Sequence, residues 1–311
     1  MNSKKILSNP VWVVVIAVIC NVLWGSAFPF IKVGYDLFQI TDKVSDKMLF
    51  AGVRFFLSGV ILLVAYVVKN RRCPKLHREN VTTVATLAVV QTTLQYIFFY
   101  VGVSNTTSAN GSIVNSTSVF LSVILAHFLY ANDKMNLQKV IGCIIGFMGV
   151  FAVTLGKGSV QFAWNGEGFI IIAALTSAIG SIITKEATKK DESWSITGYN
   201  LAFGGLVLIL LGLGSGGRLQ AINGEGIAVL LYLAMLSAVA FTLWAMLLQY
   251  NNIGKICIYN FVIPVSGTIL SGIMLKDEIF KSRYLVSLIL VCAGIYTVNH
   301  SEFLLFQRKS K

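Results

Sequence analysis

Ten long apolar runs, joined by short polar connections that hold most of the charge, constrain this chain more than any other feature. Val11–Cys20 and Leu201–Leu213 are uninterrupted by a single charged residue. A water-bounded core cannot receive ten such runs, whereas a membrane-spanning helix needs roughly 20 apolar residues. The runs fall near 11–34, 47–68, 82–103, 108–130, 138–155, 167–187, 194–214, 226–249, 254–275 and 283–301. Strands of a transmembrane barrel would be about half as long and would alternate polar with apolar residues. Composition agrees: of 311 residues 56% are hydrophobic and 12% charged, with a mean hydropathy of +0.75, where soluble domains carry about a quarter charged residues. A soluble globular enzyme and a disordered chain are both excluded. The expected fold is an all-α membrane protein of ten transmembrane helices.

The net charge of +12 comes from 25 Lys and Arg against 13 Asp and Glu. In a soluble protein that excess would suggest nucleic acid. In a multi-pass membrane protein, cytoplasmic connections are enriched in Lys and Arg, so no nucleic-acid partner is expected. With the N-terminus inside, the cytoplasmic side receives Lys4, Lys5, Lys69, Arg71, Arg72, Lys75, Arg78, Lys189, Lys190 and Arg308. The other side receives fewer, among them Lys276, Lys281 and Arg283 of the last hairpin. The expected location is the inner (cytoplasmic) membrane, with both termini cytoplasmic. Lys4 and Lys5 before an apolar run superficially resemble a signal peptide, but that run is too long and reads as an uncleaved first helix. Cys20, Cys73, Cys143, Cys257 and Cys292 are scattered without a CxxC, and His77, His127 and His300 are isolated. Neither disulfide, metal nor other cofactor is expected.

The two halves of the chain resemble each other. At a shift of about 145 residues Asn115 falls on Asn260, Asp133 on Glu278 and Gly149 on Gly294; at about 146, Ala51-Gly52-Val53-Arg54 falls on Thr197-Gly198-Tyr199-Asn200 and Ser58-Gly59 on Gly204-Gly205. Residues 1–155 and 156–311 then form two repeats of five spans each. An odd number of spans makes the second repeat enter from the opposite side. Inverted repeats are the architecture of many secondary transporters, with the site near mid-membrane.

The motifs resemble the drug/metabolite transporter superfamily of EamA type. They are Trp24-Gly25-Ser26-Ala27-Phe28 followed by Lys32, Gly52-Val53-Arg54-Phe55-Phe56, Pro264-Val265 with Asp277-Glu278 and Gly294, and Asp133 with Gly142 and Gly149 in the first half. The chain departs from that pattern at Val119, where a proline would repeat Pro264, and at Asp133, where Glu is usual. The resemblance covers essentially the whole chain and implies export or facilitated movement of small metabolites, often amino acids. It does not name the substrate.

Candidate substrate-binding residues follow from polarity at membrane depth. Arg54 lies about seven residues into its span, roughly 10 Å deep at 1.5 Å per residue. An intramembrane guanidinium faces a cavity or a partner, so Arg54 reads as an anchor for a substrate carboxylate or as a structural partner of Asp36, Asp42, Asp46 or a helix end. Lys32, nearer the boundary, reads as a snorkelling side chain. Asn21 and Trp24 share a stripe on the first helix, and Gln91 and Gln95, followed by Tyr96 and Tyr100, share one on the third. Both stripes read as cavity lining or as packing. Asn115 lies in the polar stretch from Asn105 to Ser118 that opens span four and is related to Asn260 by the repeat, which puts both near the bundle centre. Three glycosylation tripeptides, at Asn105, Asn110 and Asn115, are discounted because they lie in or beside a helix. Gly142 and Gly146 form a GxxxG that reads as close helix packing, within the chain or in a homodimer.

No carboxylate pair, zinc motif or Ser–His arrangement marks an enzyme. Every acidic residue falls in a loop or at a span end, which favours facilitated diffusion or exchange over proton-coupled efflux. His127 and Asp133 are the remaining candidates for a proton relay. The non-transport alternative is a membrane scaffold or chaperone. The expectation is a secondary transporter of a small polar metabolite, an amino acid or related carboxylate, working by alternating access in the lipid bilayer.

Overall fold

The computed structural model describes residues 7, 9–40, 42–129, 135–154, 162–251, 256, 258–277, 279 and 281–309. Asp133 and Glu278 lie outside the described residues, as does Cys257. Among the described residues seven helices are long and apolar enough to cross a membrane: α1 (Pro10–Leu37), α2 (Val44–Asn70), α3 (Arg78–Ser104), α4 (Ser108–Leu129), α6 (Trp164–Ala187), α7 (Ser193–Gly214) and α8 (Gly224–Tyr250). Shorter apolar stretches lie in α5 (Leu137–Thr154), α9 (Val262–Leu275) and α10 (Ser282–Lys309), the last apolar over Ser282–Thr297. The fold is therefore an all-α membrane bundle of two inverted five-helix repeats. We call the face with the α2–α3 and α6–α7 connections the inner face and the opposite one the outer face.

Local chemistry sets the helix starts. Asn9 accepts a hydrogen bond from the Val11 amide and Pro10 opens α1, where a missing amide proton does no harm. Thr107 and Asn223 cap α4 and α8 by accepting from the Asn110 and Gly226 amides, which satisfies donors the helix cannot.

Close approach of small residues builds the repeat symmetry into the packing. Where α2 crosses α7, a Cβ on Gly59 would lie 2.2 Å from the Ala202 amide nitrogen, and one on Gly205 would lie 2.3 Å from that of Phe56. Those two contacts exchange under the 146-residue shift. The α5–α10 pair behaves alike: Gly294 abuts Gly146 and the Gly142 carbonyl, while Gly149 abuts Val291 and the Ser287 carbonyl. The GxxxG of α5 is thus spent inside the chain, against α10 and the Phe120 ring, and does not offer a face for a second protomer.

Candidate functional site

Arg54 is 2% exposed, at the junction of α2, α3 and α8. Its Nε donates to the Leu233 carbonyl (3.2 Å) and to Ser237 Oγ (3.0 Å), and its Nη1 donates to the Tyr100 hydroxyl (2.8 Å). The guanidinium lies over the Phe55 ring at 4.8 Å, and Tyr96 packs on that ring in turn. No carboxylate among the described residues pairs with Arg54, so pairing with Asp36, Asp42 or Asp46 does not occur. Polar neutral groups hold the charge without neutralising it.

The repeat explains why a polar group sits there. The position equivalent to Arg54 is Asn200, and the position equivalent to Ser237 is Gln91; Asn200 Nδ2 donates to Gln91 Oε1 at 3.2 Å. One half makes this crossing with an amide pair, the other with a guanidinium and a hydroxyl. Gln91 also accepts weakly from Thr184, and Thr92 donates to Asn200 at 3.0 Å. Gln91 is consequently committed to α6 and α7.

Gln91 and Gln95 do not form the expected α-helical stripe. A π segment runs from Ala88 to Leu94, with the Gln95 amide donating to the Val90 carbonyl. The extra residue per turn re-aims one side chain relative to the other. Gln95 is 7% exposed and its Oε1 finds no partner among the described residues. The same is true of Asn21 Oδ1, Trp24 Nε1 and Asn260 Oδ1. Asn21 Nδ2 donates to the Ala17 carbonyl, which leaves its oxygen and the second amide hydrogen available. Trp24 packs edge-on against Phe241 and Trp244. Buried polar atoms without partners are scarce in folded proteins and each demands an explanation.

Asn115 sits where α4 breaks and Asn260 in the 3-10 turn that opens α9. Asn115 ends the first segment of α4 (Ser108–Asn115), Ser116 interrupts it, and Thr117–Leu129 continues. Asn260 lies in a 3-10 turn (Ile258–Phe261) that precedes α9. No hydrogen bond joins the two among the described residues. Discontinuous helices near mid-membrane are where transporters place their sites, since only a cavity tolerates the freed backbone groups.

The halves of α4 have different neighbours. Ser108–Val114 is buried on every side, against α9, α1 and the start of α6. Thr117–Leu129 rests on α6 and α5. Among the described residues, α4 and α9 therefore meet at the outer face.

The outer closure is a polar knot that reading by residue type missed. Glu167, counted above as a span-end carboxylate, is 3% exposed. Its Oε1 accepts from Thr106 Oγ1 (2.5 Å) and weakly from Asn110 Nδ2 (3.5 Å), and its Oε2 accepts from the Ala163 amide (3.0 Å). Lys32 is partly exposed, and its Nζ reaches the outer-face turn and donates to the Thr106 carbonyl. Asp277 accepts from the Ala109 amide at 3.2 Å and so caps the start of α4 from the other repeat. The flanking Gly166 and Gly168 were the available signal, since a Cβ on Gly166 would lie 2.9 Å from the Asn105 carbonyl. His127, a relay candidate, accepts from the Met135 amide through Nδ1 and ties down the α4–α5 connection.

A sequence model described as the EamA-like transporter family matches residues 11–155 and again 164–300. The chain belongs to the EamA-like transporter family. A relative from Archaeoglobus fulgidus, described as an uncharacterized transporter, is 27% identical over 90% of this chain and 94% of its own. A chloroplast WAT1-related protein of Arabidopsis thaliana is 24% identical over 90% of this chain and 67% of its own, and the uncharacterized transporter YetK of Bacillus subtilis is 28% identical over 79% and 76%. A crystal structure at 14% identity shares the fold, with a TM-score of 0.68 over 97% of this chain and all of that one. Membership points to a multi-pass membrane transporter rather than to an enzyme.

Proposed function

We propose that this EamA-like chain is a secondary transporter that moves a small polar metabolite, an amino acid or related carboxylate, by alternating access. Residues 1–155 and 156–311 are its two repeats, and it works in the cytoplasmic membrane with the inner face and both termini in the cytoplasm. The observation that carries the reading is the set of unpartnered buried atoms on Asn21, Trp24, Gln95 and Asn260. Three are amide oxygens that can accept from an ammonium group; the fourth is an indole N–H that can donate to a carboxylate. Arg54, whose charge no carboxylate among the described residues balances, supplies the anionic preference, with Tyr96 packed beside it, and the break at Asn115 gives the helix a joint. Gln91 completes the polar set through Asn200. Substrate leaves by export or by facilitated diffusion and exchange.

The test is thermal stabilisation of the purified protein across amino acids and small carboxylates, followed by titration of any stabilising ligand into Arg54→Ala and Asn260→Ala. Each substitution should weaken the ligand at least about tenfold, the equivalent of about 1.4 kcal/mol. Unchanged affinity in both refutes the site. No stabilisation by any compound favours a scaffold.

A further inference from the structure

We infer that the inner face carries a binding site for the headgroup of an anionic phospholipid, a phosphodiester of the phosphatidylglycerol type, in a crevice between the inner ends of α6 and α8. The inference is independent of the substrate reading above.

The crevice is a cavity of about 240 Å³, lined by Lys185 and Thr188 from the end of α6, by Leu248, Gln249 and Tyr250 of α8, and by Asn251 at the α8 C-cap. Its charge follows from what the neighbouring side chains already hold. Both Glu186 oxygens accept from Lys189, which also borders the cavity. Asp191 is taken by Asn80 and His77, and Glu192 by Arg72. Lys185 is partly buried and has no carboxylate partner among the described residues. One cation is therefore left without a counter-ion in a confined place, where salt screens its attraction less than on an open surface.

Hydrogen-bonding capacity completes the match. Gln249 Nε2 donates to the Thr188 carbonyl at 3.3 Å and keeps a second N–H. The Tyr250 hydroxyl has no partner among the described residues. With the Lys185 ammonium these are donors for phosphate oxygens. Asn251 offers the reverse: its Nδ2 donates to the Leu7 and Leu247 carbonyls at 2.8 and 3.1 Å, which spends both hydrogens and leaves Oδ1 to accept from a headgroup hydroxyl. The single unbalanced cation equals the single charge of a phosphodiester. A choline or ethanolamine headgroup would instead bring a further cation beside Lys185 and Lys189.

The direction in which the crevice opens makes the ligand a lipid. Leu231, Met235, Val239 and Tyr250 of α8 are all exposed, and at 3.6 residues per turn they fall within about 100° of one another around the helix. The opposite face carries Leu233, Ser237 and Trp244, which meet Arg54 of α2 and Trp24 of α1. The exposed stripe therefore faces hydrocarbon and runs down to the crevice, giving acyl chains a path away from a headgroup held there. Tyr250 stands at the end of that stripe, where aromatic rings gather at the membrane boundary. Basic pockets between spanning helices on the cytoplasmic side bind anionic headgroups. A headgroup that reaches both Lys185 and Tyr250 joins α6 to α8 and stabilises the folded bundle.

The experiment needs no transport substrate. The purified full chain in a neutral maltoside detergent is titrated with phosphatidylglycerol and with phosphatidylcholine, with bound lipid read by native mass spectrometry and melting temperature followed in parallel. Phosphatidylglycerol should bind at least about tenfold tighter than phosphatidylcholine and should raise the melting temperature as it saturates. Lys185→Gln should weaken phosphatidylglycerol at least about tenfold and leave phosphatidylcholine unchanged, whereas Lys185→Arg should retain the affinity. Lys75→Gln removes the same charge from an exposed position on the same face and should change affinity less than about twofold. Tyr250→Phe keeps the ring and should weaken phosphatidylglycerol about threefold, which tests the site even if the glutamine variant does not fold. Equal binding of the two lipids overturns the proposal, as does equal weakening by Lys185→Gln and Lys75→Gln, the mark of diffuse attraction. Full affinity in Lys185→Gln, or in Tyr250→Phe where the glutamine variant does not fold, overturns it too. Competition by inorganic phosphate or by glycerophosphoglycerol, the same headgroup without acyl chains, at concentrations as low as those of the lipid overturns the lipid assignment and leaves a site for a soluble phosphate.

Discussion

The sharpest energetic statement concerns the Tyr100 hydroxyl. It accepts from Arg54 Nη1 at 2.8 Å, and both residues are almost wholly buried. Tyr100→Phe removes that acceptor and nothing else of consequence, because the hydrogen bond from the Tyr35 hydroxyl goes to the Tyr100 backbone carbonyl and survives. A hydrogen bond to a charged group contributes about 1.5–3 kcal/mol net, and leaving a charged donor unpaired in a dry site lies at the upper end of that range. A loss of about 2 kcal/mol lowers the folded-to-unfolded ratio about 30-fold. Reversible unfolding in mixed micelles, titrated with a denaturing detergent, measures it. A cycle with Arg54→Met isolates the pair: the coupling energy should be at least about 1.5 kcal/mol, since phenylalanine at position 100 faces no charge in the methionine background. A coupling below about 0.5 kcal/mol would refute the reasoning and show that Leu233 and Ser237 hold the guanidinium unaided.

Two further predictions concern stability. At the inner face Asp191 accepts from Asn80 Nδ2 (2.7 Å) and from the ring (2.7 Å) and amide of His77. Burial raises its pKa, but those hydrogen bonds and the His77 charge outweigh it, so the carboxyl sits below the ordinary carboxylate value of 3.8. A depressed folded pKa contributes stability that is fully present above the unfolded value and is lost as pH falls through the folded one. The melting-temperature gap between wild type and Asp191→Asn should therefore hold steady from neutral pH to about 5 and shrink below about 4. Gly205→Val drives a side chain onto the Phe56 backbone, which overpacking puts at about 1–3 kcal/mol or more. Folded yield on size-exclusion chromatography should fall sharply, while Gly214→Ala, with nothing within 4 Å, should leave it unchanged.

Much of this architecture was legible without coordinates. Apolar run length dictates spanning helices, because backbone groups in lipid must bond within their own segment. The repeat shift even specifies which glycines meet, since Gly59 and Gly205, or Gly149 and Gly294, are related by it. Arg54 was conspicuous for the same reason: a charge inside an apolar run has few explanations. Asn115 and Asn260 stand out by symmetry; Asn115 lies at the break in α4 and Asn260 in the 3-10 turn that opens α9.

What remained hidden depends on which surfaces meet. Sequence position placed Glu167 in a loop at a span end, and it is there; only the α3–α4 corner folding over it makes it buried. Lys32 was placed at the outer boundary, and only the folded turn shows that its Nζ meets the Thr106 carbonyl there. Gln91 and Gln95 have α-helical spacing on paper, and a π turn separates their directions. The two segments of α4 have different neighbours, Ser108–Asn115 against α9 and Thr117–Leu129 against α6, and neither repeat codes that by itself because the surfaces come from both halves. Local sequence thus determined the helices and their internal symmetry, and the tertiary structure alone decided which surfaces meet.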